Sequence, residues 1–106
     1  MARAAIVDGR NECWTSHATA WEVAIKVSLG KLKLEVPYED LFPGEVIKNR
    51  LGILPTDFSH FREVIELPLH HGDPFDRLLI AQARVEGLTV VTRDPHFPAY
   101  DVPLLW

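Results

Sequence analysis

The stretch HHGDPFDRLLIAQARVEGLTVVT, residues 70–92, decides the fold. Asp73 stands where a helix N-cap belongs, and Pro74 suits the first helical position because its missing N–H would be an orphan there. Gly87 can supply the positive φ that closes a helix. Between them Phe75, Leu78, Leu79, Ile80, Ala81, Ala83 and Val85 make the segment apolar on more than one side, as in a helix covered by a sheet and by neighbours. The pattern predicts a helix over Pro74–Glu86. LTVVT, Leu88–Thr92, is a β-branched run without polar alternation, which predicts a strand buried on both faces. A helix, a one-residue turn and a buried strand make half of a parallel α/β unit.

Outward from this block, VPLLW at Val102–Trp106 predicts a last strand, reached through RDPHFPAYD, whose prolines and aspartates favour turns. Upstream, a helix is expected from about Thr19 to Leu29, with Ser16 or Thr19 as cap and Gly30 as stop, preceded by a short strand at Glu12–Ser16. The middle of the chain predicts a helix over Tyr38–Asn49 disturbed at Pro43 and Gly44, a short strand at Ile53 and Leu54, and a helix in TDFSHFREVIEL capped by Thr56 or Asp57 and ended by Pro68. There is no internal repeat, low-complexity tract or linker, so the 106 residues read as a single domain.

Composition bounds the function. The chain is 47% apolar and 25% charged, enough to build a core and unlike a disordered segment. The lone Cys13 excludes an internal disulfide, and no Cys/His spacing suggests structural zinc. No run approaches the ~18 apolar residues of a membrane span. These features predict a soluble cytoplasmic protein. The formal net charge of −4 argues against a broad basic face gripping nucleic acid, yet it permits a small site in which carboxylates surround a cation.

Four carboxylates stand out: Glu22, Asp73, Asp76 and Asp94. Asp94 lies two residues past a predicted strand, and open α/β sheets place ligands beyond the carboxyl ends of their strands. Glu22 and Asp76 are expected in early helical turns, where the helix dipole favours negative charge. If Glu22, Asp76 and Asp94 converge, their repulsion calls for a cation, and oxygen-only ligands suit Mg2+ or Mn2+. Such an ion supports hydrolysis of a phosphodiester. Each residue also has a plain structural reading: Asp73 as N-cap, Asp76 as dipole-compensating acid, Asp94 as turn former, Glu22 as surface carboxylate. Arg77 and Arg93 flank two of the acids and can pair with them or touch phosphate, whereas Lys26, Lys31 and Lys33 suit a solvated face. His70 and His71 are adjacent and lack a helical partner histidine, which disfavours joint ligation of one ion. Trp14, Trp21 and Trp106 are expected in a core or an interface.

TSHATAWEVAIKVSLGKLKL (residues 15–34), LPLHHGDPFDRLLIAQARVEGLTVVTRDPHF (67–97) and the ending YDVPLLW together resemble the PIN-domain ribonuclease toxins of the VapC type, over nearly the entire chain. The resemblance implies a three-layer α/β/α fold with a short parallel sheet, and Mg2+- or Mn2+-dependent endoribonuclease action restrained by a VapB-type antitoxin. By motif, the family's acidic cluster corresponds to Glu22 in AWEVAIK, Asp76 in PFDRLL and Asp94 in TRD, while Asp73 starts the helix that carries Asp76. The family pattern opens with an apolar strand ending in aspartate. Here Ala2–Val7 aligns instead with the helix before the first strand, and Asp8 is not a substitute. The expectation is a domain incomplete at its N-terminus, lacking a central strand and the first acidic ligand. Such a sheet invites self-association as a homodimer or higher oligomer, including strand exchange. A catalytically inactive binding or oligomerisation module is the alternative.

Overall fold

The computed structural model describes residues 11–105. Asp8 and the expected helical segment Ala2–Val7 lie outside the described residues, as does Trp106. The chain is mixed α/β and divides into two compact units, one of Glu12–Pro55 and one built on residues 56–105.

In the first unit, β1 (Trp14–Ser16) leads directly into α1 (His17–Ser28). Ser16 ends the strand and caps the helix, its hydroxyl accepting the Ala18 N–H at 3.0 Å. The Tyr38 hydroxyl donates to the Ala20 carbonyl at 2.8 Å, pinning the connector to α1. The helix expected over Tyr38–Asn49 is broken where Pro43 and Gly44 announced it. An irregular turn at Asp40–Glu45, non-helical at Phe42, leads into the short α2 (Val46–Lys48). β2 (Gly52–Leu54) then pairs parallel with β1, Trp14 opposite Gly52. A Cβ at Gly52 would run into the Trp14 ring, so any other residue at that register position requires the ring to shift. A cavity of about 390 Å³ lies here, lined chiefly by Tyr38, Phe42, Pro43, Val46 and Ile53; none of the acidic residues lines it.

The second unit opens with α3 (Phe58–Glu66), capped by Asp57, and continues to α4 (Pro74–Glu86). The two helices pack on each other. Helix α4 has the bounds expected from its punctuation: Asp73 Oδ1 accepts the Asp76 N–H at 2.9 Å, Pro74 is the first helical residue, and Gly87 has φ 68°. β3 (Val90–Val91) pairs parallel with β4 (Leu104–Leu105), extended by Thr92 N–H donating to the Leu105 carbonyl. Ile80, Ala81, Leu67, Phe97 and Tyr100 form the core, with Val64, Val90, Val102 and Leu104 against it.

The expected short parallel pairing is present: among the described residues, each unit holds a two-stranded parallel ladder, β1 with β2 and β3 with β4. β3 is not buried on both faces as expected, since Val91 is 42% exposed. A β-branched run signals extended backbone through its χ1 restriction, but the number of covered faces depends on what packs there. Of the two places expected for the tryptophans, a core or an interface, the core is excluded for Trp14 and Trp21, which are exposed. No described helix is long and apolar enough to cross a membrane.

Candidate functional site

Asp76 is positioned from its own backbone outward. The Asp73 cap takes the Asp76 N–H, so the residue that starts α4 also orients the peptide carrying Asp76 at the third helical position. The Asp76 side chain is partly buried, and its Oδ2 lies 3.4 Å from His71 Nε2. Asp73 therefore acts as a cap, the plainer of its two readings, in direct support of Asp76.

Asp94 is positioned by a local turn after β3. Its N–H donates to Thr92 Oγ1 at 3.0 Å. Its Oδ1 accepts the His96 N–H at 2.8 Å and the His96 Nδ1–H at 2.9 Å. The His96 backbone N–H is the main reason that the Asp94 carboxyl lies below the usual carboxylate range; burial opposes it more weakly, and the His96 and His71 rings add to the lowering.

The two acids are linked through imidazoles. His71 and His96 stack face to face, with ring centroids 4.9 Å apart and planes within 8°. The resulting chain runs Asp76, His71, His96, Asp94. Glu22 belongs to the other unit, in the second turn of α1 rather than its first, where its Oε2 pairs with Lys26 Nζ at 2.8 Å. Lys26 thus has an acidic partner on an exposed helix face.

Arg77 turns inward. Its guanidinium donates to the carbonyls of Pro68 (2.9 Å), Val64 (3.2 Å) and Leu67 (3.4 Å) and to the Tyr100 hydroxyl (3.1 Å). That network satisfies a buried cation and ties the α3–α4 connection together. Arg93 is exposed, one residue before Asp94.

A further cluster escaped sequence reasoning. Among the described residues, Asp57, His60 and Glu86 bring one ligand atom each within 4.8 Å of one another, a spacing at which a divalent cation can be held. Their mixed nitrogen and oxygen donors suit a transition ion better than Mg2+. His60 is fully buried and already uses both ring nitrogens. Nδ1 accepts the Asp57 N–H at 3.1 Å, and Nε2 donates to Glu86 Oε1 at 2.9 Å. Asp57 accepts the N–H groups of Ser59 and His60 in return, a capping box with histidine in the place usually held by Glu or Gln. Binding an ion would require His60 to exchange one of these bonds. As it stands, the cluster splices the start of α3 to the end of α4. The hydroxyl of Ser59 above all holds the Asp57 carboxyl below its ordinary range, against a smaller effect of burial.

One carboxylate at a helix start and another past a parallel strand are thus joined by stacked imidazoles on an α/β frame, while the described group whose ligand atoms all lie within 4.8 Å of one another is Asp57, His60 and Glu86. The sequence model of the PIN domain matches residues 1–103, and the chain belongs to that family. No curated protein matches it.

Proposed function

We propose that the protein is a metal-dependent endoribonuclease of the VapC type, the toxin of a type II toxin–antitoxin module acting in the cytoplasm. The observation that carries this reading is the joining of Asp76 and Asp94, two of the three acids singled out by motif, through His71 and His96. Asp76 and Asp94 are the metal-site and catalytic carboxylates of the proposal within the second unit, Mg2+ or Mn2+ is the ion their oxygen donors suit, and Glu22 is the third acid that the motif adds. When bound, such an ion supplies an activated water and neutralises charge on the phosphate. Asp94, an anion across the physiological range as an ordinary aspartate is, has its carboxylate oriented by the His96 donors. Arg93 is the proposed phosphate contact, since Arg77 is spent in the core.

A VapB-like antitoxin is the proposed regulatory partner. A homodimer is supported by an exposed stripe on α3: Phe58 and Ile65 are more than four-fifths exposed and Phe61 lies between them. Arg62 and Glu66 share one flank of that stripe, so antiparallel contact about Val64 would set Arg62 of one copy against Glu66 of the other. Ile65→Asp is expected to shift the chain to monomer in light scattering.

The deciding experiment is Asp76→Asn, assayed for RNA cleavage and for Mn2+ binding. Loss of both is expected; unchanged cleavage would sink the proposed role. The second reading, a binding or oligomerisation module without chemistry, is favoured by the same exposed apolar stripe. A stable oligomer that binds no Mn2+ would select it.

A further inference from the structure

We infer that His71 is a positioning residue for Asp76, locked into the tautomer this role needs by Tyr100 and Arg77; the inference rests on the reading of Asp76 as a metal-site carboxylate. Tyr100 is 3% exposed. Its hydroxyl oxygen receives Arg77 Nη1–H at 3.1 Å and the His71 backbone N–H at 3.3 Å. Neither group can accept a hydrogen bond, and between them they use both lone pairs of the oxygen.

The hydroxyl hydrogen must therefore go to an acceptor. His71 Nδ1 lies 2.7 Å away, while the alternative, the His71 carbonyl, is at 3.5 Å, so the hydrogen goes to the ring. A neutral imidazole that accepts at Nδ1 carries its proton on Nε2. That N–H faces Asp76 Oδ2 at 3.4 Å, within a small side-chain adjustment of a normal hydrogen bond.

The order Arg77, Tyr100, His71, Asp76 thus runs from a buried guanidinium to a site carboxylate, each link setting the next donor. The face of His71 rests on His96, whose ring must carry its proton on Nδ1 to donate to Asp94. Two rings in contact therefore hold two carboxylates, one from each side of the stack. His71 is spoken for on both nitrogens, which makes it a holder of Asp76. Hydrogen bonding to a ligating carboxylate fixes its plane, and loss of such a partner weakens metal affinity by roughly 10–100-fold.

The test uses the full chain and two readouts, 15N NMR of the imidazoles without metal and Mn2+ binding followed by the EPR signal of the free ion. His71 is expected in the Nε2–H tautomer in the wild type and to lose that preference in Tyr100→Phe, which keeps the buried ring. Mn2+ affinity is expected to fall at least ~10-fold in His71→Leu, to recover in large part in His71→Gln, whose amide keeps a donor, and to stay unchanged in His70→Leu. His70 also packs edge-on to the Tyr100 ring, so it controls for mere loss of contact. An Nδ1–H tautomer in the wild type, or equal affinity in the wild type and His71→Leu while Asp76→Asn abolishes binding, would overturn the inference alone. Absence of Mn2+ binding by the wild type would overturn the underlying reading of Asp76 and the inference with it.

Discussion

Residues 12–55 and residues 56–105 are built from the same kinds of element, a two-stranded parallel ladder with helices, yet the buried apolar cluster of the described residues lies in the second. In the second unit Leu67, Ile80, Ala81, Phe97 and Tyr100 form a continuous core, and Ile80 has no exposed surface. In the first unit Ala18 and Val46 are the buried apolar residues, while Trp21, Leu29 and Ile47 are each more than 60% exposed. The difference teaches where order in this chain comes from. Hydrophobic burial scales with area removed from water, so the unit that closes over Ile80 can hold Asp76, Asp94 and their imidazoles rigidly. The unit carrying Glu22 relies on a cap, a ladder and the Tyr38 hydrogen bond.

The strongest way to break this comparison is a pair of truncations. Ile80→Ala is expected to cost about 2–5 kcal/mol, from lost burial and the cavity left behind. Trp21→Ala, at an exposed site, is expected to stay within about 0.5 kcal/mol. Urea denaturation followed by circular dichroism measures both, and a similar cost for the two would show that the units share their stability evenly. Next in size is Arg77→Met, which keeps the stem but strips a cation from four acceptors; a loss of about 2–3 kcal/mol is expected in the same assay. A neutral outcome would mean that the inward guanidinium contributes little to the second unit.

The caps should behave alike despite the different cores. Asp73→Ala and Ser16→Ala each remove one acceptor from a helix start and are each expected to cost about 1 kcal/mol. Only Asp73→Ala should also weaken Mn2+ binding, because its cap bond holds the Asp76 peptide. The smallest effect is pH-dependent. The Asp57 carboxyl is lowered in the folded state, chiefly by the Ser59 hydroxyl, so its contribution is complete above the ordinary carboxylate range. It is lost as pH falls through the lowered value. Asp57→Asn keeps a capping oxygen that does not titrate. Thermal melts at falling pH should therefore show a shallower acid loss in the variant than in the wild type.

Legibility in the sequence followed range. Helix α4 was readable to its end residues, because a cap, a proline and a glycine act through bonds that span only a few positions. The break at Pro43 and Gly44 was readable for the same reason. Asp94 was visible as a turn residue past a strand, and the spacing of Asp94 and His96 in RDPHF was the available signal for the turn that holds it. His71 was passed over because its bonds to Tyr100 span 29 positions and no local pattern marks them. His60 was hidden in the same way: its Asp57 half is a local capping box, but its Glu86 half reaches 26 residues along the chain.

By itself the sequence determined most of the helices and extended segments, and that Asp76 sits at a helix start and Asp94 past a strand, since φ preferences, caps and apolar periodicity are local properties of the chain. Only the tertiary structure decided that β1 pairs with β2 and β3 with β4, that Arg77 turns inward, and that stacked imidazoles join Asp76 to Asp94. Those outcomes depend on which distant groups satisfy each buried donor and acceptor, and that accounting closes only when the chain has packed.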